Sequence, residues 1–241
     1  MNPNELTGFV ISRKNINDAD KILTLFTLEQ GRYSLIAKGV RKPRAKLQSA
    51  IEPLVETKFR ALGKGKLPTI VGAKALDKNM FFGTTIESNL SALLLTEVVD
   101  FFSVENLPNE SAYSNYQAAL QKLAQNNKTP LVLNYYLLNL LKAYGVEPHI
   151  KPGLTKYWLD YADGTVLDRA GSNSVLVDIN VVKLWHACLE KNSQLIEKLG
   201  VDSLTLADSL NLLISYIQQQ TERKIKSSKV LSESTNLLQA N

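Results

Sequence analysis

Near residue 80 the hydrophobic period of this chain changes, and that change limits what it can fold into. Before it lie short runs rich in β-branched and aromatic residues, at 8–13, 22–28, 32–38, 54–62 and 67–75. In the fourth run Val55, Thr57, Phe59 and Ala61 fall on one face and Glu56, Lys58 and Arg60 on the other, the period of two of a half-buried strand. Turn chemistry separates the runs: Asn and Asp in 14–20, then Glu29-Gln30-Gly31, then Gly63-Lys64-Gly65-Lys66. Past residue 85 the spacing becomes helical, with Leu90, Leu93, Leu94, Glu97, Val98 and Phe101 forming a stripe over 86–102. Further helices are predicted over 111–125, 130–144 (closing at Gly145), 180–191 and 203–226. Between the third and fourth, a break at 147–156 with two prolines and a glycine precedes a hairpin, 157–161 and 165–167, turning at Asp163-Gly164.

Five short strands with one long connection, 39–53, predict a small Greek-key barrel, of which the OB-fold is the commonest five-stranded form. SH3-like barrels fit the same periodicity. The expected class is α+β: an all-β OB-fold barrel domain over 1–80, then a mainly α-helical domain over 81–241 with a small β-hairpin near 157–167. No internal repeat is present, and the tail after Leu231 is polar.

Charge follows the same division. The net charge of +5 conceals 15 Lys and Arg against 7 Asp and Glu in residues 1–80, and 13 against 16 in the remainder. The basic part concentrates after an apolar run ending at Lys38-Gly39, where Arg41, Lys42, Arg44 and Lys46 follow within seven residues. Pro43 has no N–H and resists both helix and ladder, so this segment reads as a cationic loop leaving a strand. Such a loop suits a polyanion, with the nucleic-acid backbone the leading candidate. A lone charge run is otherwise a solvated surface.

Several chemistries are excluded. The 63–66 turn is too short for a P-loop and leads into a strand, and no G-x-G-x-x-G occurs. His149, His186 and Cys188 are the only His and Cys residues, too few for a His- or Cys-based triad. His186 reads as a core or boundary histidine and Cys188 as a small buried hydrophobe. Asp18 and Asp20 sit in turn sequence and read as local backbone partners. Catalytic residues, metal and cofactors are all expected to be none. No run of 18 apolar residues exists, so no membrane span is expected. The opening Met1-Asn2-Pro3-Asn4-Glu5 has no secretory pattern, and with one cysteine the expected location is cytoplasmic.

Two blocks carry a resemblance. Asp18-Ala19-Asp20-Lys21-Ile22-Leu23-Thr24-Leu25-Phe26-Thr27, followed by Gly31, is similar to E-S-D-x-I-x-T-x-F-T…G. Ala37-Lys38-Gly39-Val40-Arg41-Lys42-Pro43, with Leu47 and Glu52-Pro53, is similar to A-K-G-A-R…L…Q-P-F, although Glu52 and Leu54 replace the usual Gln and Phe. Gly65 and Leu67 match a later turn, and 223–231 looks like a closing L-K-S-R-x-x-L. Together these resemble the RecO family of bacterial recombination mediators.

The resemblance implies an N-terminal OB-fold that binds single- and double-stranded DNA and a helical C-terminal domain. It also implies strand annealing and recombinase loading on DNA covered by single-stranded-DNA-binding protein, together with RecR. Many members bind zinc through two C-x-x-C pairs. Here Gly153 and Lys156 stand at the first pair and 154–182 holds no cysteine, so four N/S ligands cannot be assembled in that way. The hairpin is expected to hold by packing Trp158 and Tyr161.

The expected DNA contacts are Lys38, Arg41, Lys42, Arg44 and Lys46, with Lys64 and Lys66 on the neighbouring turn and Arg13 and Lys14 extending the groove. Arg223, Lys224 and Lys226 are expected to face the C-terminal tail of the single-stranded-DNA-binding protein, beside an apolar slot drawn from Leu212, Ile217 and Ile225. An RNA- or ribosome-binding OB adaptor is the alternative; it needs stacking aromatics such as Phe9, Tyr33 or Phe59. A scaffold with an incidental basic loop is a third possibility.

Overall fold

The computed structural model describes residues 4–42, 47, 51–63, 67–76, 85–125, 129–151 and 154–229. Its first five strands are β1 (Asn4–Asn15), β2 (Lys21–Thr27), β3 (Gly31–Ala37), β4 (Thr57–Leu62) and β5 (Thr69–Ala75). They close a barrel in the order β1-β2-β3-β5-β4. Neighbours are antiparallel except β3 and β5, which meet in parallel at Ile36 and Thr69. The Ile36 N–H seals that seam on the Pro68 carbonyl at 2.8 Å. β1 serves two neighbours. Its first half pairs with β4 and the remainder with β2, and the register shifts between Val10 and Ser12. This is the closed Greek-key order of the OB-fold, so the α+β expectation holds.

Alternation decides the barrel core. Leu6, Val10, Leu23, Leu25, Leu35, Phe59 and Ile70 turn inward and are fully or nearly fully buried. Phe9 and Phe26 are buried on the other side of their strands. Their cover is the helical pair α1 (Ile86–Phe102) and α2 (Glu110–Gln125). Phe9 meets Tyr116 edge-on with ring centroids 5.1 Å apart, and Phe26 meets Tyr113 at 5.6 Å. Burial drives both phenol pKa values upward. Tyr113 donates to Glu56 at 2.7 Å, and Gln117 donates to the same carboxylate at 2.8 Å. The Arg32 guanidinium reaches both the carboxylate and the carbonyl of Asp100 in α1.

These contacts tie the two helices to the barrel. The chain separates into compact units Met1–Gln125 and Asn126–Asn241, so α1 and α2 belong in space with the barrel although the composition changes near residue 80. Gly31 is part of the reason. It has φ +64°, and a Cβ there would stand 2.1 Å from the Leu107 carbonyl oxygen, so only glycine lets the α1–α2 connection approach β3 so closely. α1 occupies its predicted span, with Thr85 capping the Ser88 N–H. Its buried face is turned from the predicted stripe, however. Ser88, Ser91, Ala92, Leu95 and Val99 join Leu94 and Val98 inside, while Leu93 is exposed.

The second unit contains α3 (Thr129–Tyr144), α4 (Ile179–Leu189), α5 (Ser193–Leu199) and α6 (Ser203–Thr221). It also holds strands β6 (His149–Ile150), β7 (Trp158–Asp160), β8 (Thr165–Leu167) and β9 (Ser174–Leu176). Trp185 is fully buried and donates to Ser209 at 2.7 Å. Ser209 donates to Asn134 at 2.5 Å, and the Asn134 amide donates to the Pro130 and Leu206 carbonyls. One polar chain therefore links α3, α4 and α6. Cys188 is buried as expected, its thiol pushed up to about 12 by desolvation.

Four expectations need correction. The hairpin is the middle of a four-stranded sheet, β6-β8-β7-β9, because His149–Ile150 and Ser174–Leu176 add short edges that two or three residues of sequence do not signal. Its packing residues are the inward Leu159 and Val166, while Trp158 and Tyr161 are only half-buried. The last helix stops at Thr221, since Glu222 adopts φ 53°. His186 is exposed rather than in the core.

Candidate nucleic-acid interface

At one end of the barrel two loops are tied together. Asn17 opens the β1–β2 turn, its side-chain oxygen accepting from the Ala19 and Asp20 N–H groups at 2.9 and 2.7 Å. This local bonding is what the Asn/Asp-rich sequence predicts. Asp20 does more than close the turn. Its carboxylate accepts the Gly39 N–H at 2.7 Å and the Asn17 amide at 3.0 Å. The Gly39 bond first, then the Asn17 bond, then Lys38 and Lys42 nearby, hold its pKa below the usual value. In return Arg41 donates its N–H to the Ala19 carbonyl at 3.1 Å and its guanidinium to the Asn17 carbonyl. A turn from Gly39 to Lys42, 3.2 Å, completes the loop, and Val40 is buried in the barrel core.

The result is a braced platform from which cations project. Lys38, Arg41 and Lys42 are exposed, and neither lysine forms an ion pair among the described residues. One guanidinium nitrogen of Arg41 is engaged, which leaves the rest of its donor fork outward. Lys14 and Lys21 lie at the facing ends of β1 and β2, where Asn15 pairs with Lys21 and Lys21 with Ala37. Arg13 differs: it pairs with Glu52 at 2.8 Å, so its charge is locally offset. Arg44, Lys46, Lys64 and Lys66 lie outside the described residues.

Turn chemistry alone accounts for Asn17 and Asp20 in the sequence. The available signal was that the D-A-D and A-K-G-V-R blocks occur together, and the structure joins them in space. The stacking aromatics fare differently. Phe9 and Phe59 are fully buried, and Tyr33 packs partly against the barrel core.

In the second unit Arg223, Lys224 and Lys226 are exposed after the end of α6. Arg223 and Lys224 border a shallow groove of about 490 Å³ with Gln218, Gln219 and Glu222. The expected apolar slot does not form beside them, since Ile217 and Ile225 are core residues. Leu212 faces a separate groove of about 830 Å³ with Leu154, Tyr157 and Leu176, where Asp178 and Asp208 outnumber Lys156. Among the described residues no cluster of three His, Cys, Asp or Glu side chains could hold a metal ion, and no helix is long and apolar enough to cross a membrane.

A closed five-stranded barrel of this strand order, with a braced cationic loop at one end, places this part of the chain in the OB-fold class of small β-barrels. Comparison with known proteins narrows this. The family model described as Recombination protein O N terminal matches residues 1–79, and that described as Recombination protein O C terminal matches 83–152. A protein of Syntrophus aciditrophicus named DNA repair protein RecO is 22% identical over 243 residues, covering 94% of each chain. Proteins of that name from Syntrophomonas wolfei and Vibrio parahaemolyticus are each 30% identical over 58% of this chain. Those two alignments span 56% and 57% of the relatives' own lengths, little more than half. The chain belongs to the RecO family.

Proposed function

We propose that this protein is a non-enzymatic mediator of DNA repair and homologous recombination, which binds the phosphate backbone through the braced loop. The observation that carries this reading is the exposure of Lys38, Arg41 and Lys42 on a platform fixed by Asp20 and Arg41 itself. Phosphate contacts position a strand without reading its bases, which is what annealing of complementary strands requires. Arg44, Lys46, Lys64 and Lys66 are further phosphate contacts in this reading. Arg13 contributes less, because Glu52 offsets it. Assisting recombinase loading on protein-coated single strands, together with RecR, is part of the same proposal. The tail of the single-stranded-DNA-binding protein docks on the helical unit, with Arg223, Lys224 and Lys226 steering it. The RNA-adaptor alternative is weakened by the burial of Phe9 and Phe59, which removes two of its three stacking platforms.

The test is the salt dependence of binding to duplex and to single strands. Lys38→Ala/Lys42→Ala removes two charges and none of the loop's bracing bonds. Its log–log slope should be flatter than that of the unaltered protein by about 1.8 on duplex and about 1.4 on single strands, from roughly −0.9 and −0.7 per phosphate. An unchanged slope would place the contacts elsewhere.

A further inference from the structure

The barrel has a second cationic surface. On β4 the outward residues are Lys58 and Arg60, and on β5 Lys74, all exposed. The register sets Lys58 directly opposite Lys74. Like charges across a strand pair cost stability, and sheets ordinarily avoid them. One counter-charge is present: Glu5 pairs with Lys58 at 2.7 Å and stands opposite Arg60 in the β1–β4 register. Lys74 forms no ion pair among the described residues. The other nearby carboxylate, Glu56, is taken up by Tyr113 and Gln117. These neutral donors leave the Glu56 charge in place, so among the described residues the face retains an excess of one positive charge, at the juxtaposition of Lys58 and Lys74.

Its shape fits the same reading. Arg60 stands opposite Gly72, and a Cβ on Gly72 would lie 3.8 Å from the Arg60 Cβ and Cδ, so the arginine stem lies over a floor with no side chain. The register shift between Arg60 and Ala61 leaves Val71 unpaired and 48% exposed beside it. The outer sides of β1 and β2 are closed by α2, through Phe9 and Phe26 on Tyr113 and Tyr116. On the β4–β5 face, among the described residues, Lys58, Arg60 and Lys74 are left exposed. The face is also built from other elements than the braced loop: Lys58, Arg60 and Lys74 stand on β4 and β5, whereas the loop follows β3 and is tied to the β1–β2 turn.

We propose that the outer face of β4 and β5 is a second polyanion surface that holds the sugar–phosphate backbone of another strand while the loop holds the first. This rests on the nucleic-acid reading above and deepens it. A chain with two separate phosphate surfaces can bring two strands together while leaving their bases free.

The full chain, at low salt, is titrated with a short thymidine oligonucleotide of about six residues, too short to serve both surfaces when it lies along one of them, and bound equivalents are counted by native mass spectrometry. The unaltered protein should take up a second equivalent. Arg60→Gln/Lys74→Gln should lose one equivalent with an unchanged melting temperature, and Lys38→Ala/Lys42→Ala should lose the other. Retention of both equivalents by Arg60→Gln/Lys74→Gln, or a single equivalent in the unaltered protein, overturns the second surface and leaves the first intact. No uptake by the unaltered protein overturns the nucleic-acid reading itself.

Discussion

Single side chains do the joining in this molecule, and their worth depends on burial. Asp20 works at the surface, where water competes for every bond. Ser209 works inside, accepting from Trp185 and donating to Asn134 with all three fully buried. Removing its hydroxyl orphans a donor on one side and an acceptor on the other. Leaving a buried polar group unsatisfied costs about 1–3 kcal/mol. Ser209→Ala should therefore lower the urea midpoint clearly. Ser203→Ala, at the exposed first position of α6, should change it little. Equal effects would mean that the network carries no special weight. The sequence shows Trp185, Ser209 and Asn134 in helices but not that the three meet, since their separations of 24 and 75 residues have no local signature.

At the scale of elements, the chain was readable where patterns are long and opaque where they are short. The barrel strands and α1 stand close to their predicted spans because each has several residues of one period. β6, β9 and α5 escaped because two, three and seven residues cannot establish a period. The small sheet shows what such elements rely on instead. Asp168, just past β8, accepts from the Thr155 N–H and hydroxyl and the Lys156 N–H, all at 2.9–3.0 Å. The Lys156 N–H bond first, then those of Thr155, hold its carboxyl below the usual range. A lowered native pKa means that the bonding is fully present above the unfolded value of about 4 and is lost as pH falls through the native one. Asp168→Ala should be less stable than the unaltered protein at neutral pH, and the gap in urea midpoint should shrink as pH drops below about 4. A gap that widens in acid would contradict this assignment.

For the whole molecule, the two quoted sequence blocks were enough to suggest the family, because motif spacing survives where overall identity is low, and the five short strand runs suggested the barrel. The candidate site was legible as a set of charges but not as a braced object, since its brace joins residues 19 positions apart. The helical unit was the least legible, and its apolar slot was drawn from residues that the core claims. One expectation concerns composition throughout. With Gly153 and Lys156 at the positions where the resemblance implies cysteines, the fold should not depend on metal. Elemental analysis of untagged protein should find zinc well below one equivalent, and a chelator should leave the melting temperature unchanged. One tightly held zinc per chain would show a ligand set not recognised here.

The seam between Phe9 and Phe26 on one side and Tyr113 and Tyr116 on the other has a consequence for descent. The two family models meet at residues 79 and 83, in the middle of one compact unit. A gene crossover at that junction would bring the aromatic ridge of one lineage against the helical cover of another. Lineages that exchange their front portions and survive should therefore carry the break beyond codon 125, so that both sides of the seam are inherited together.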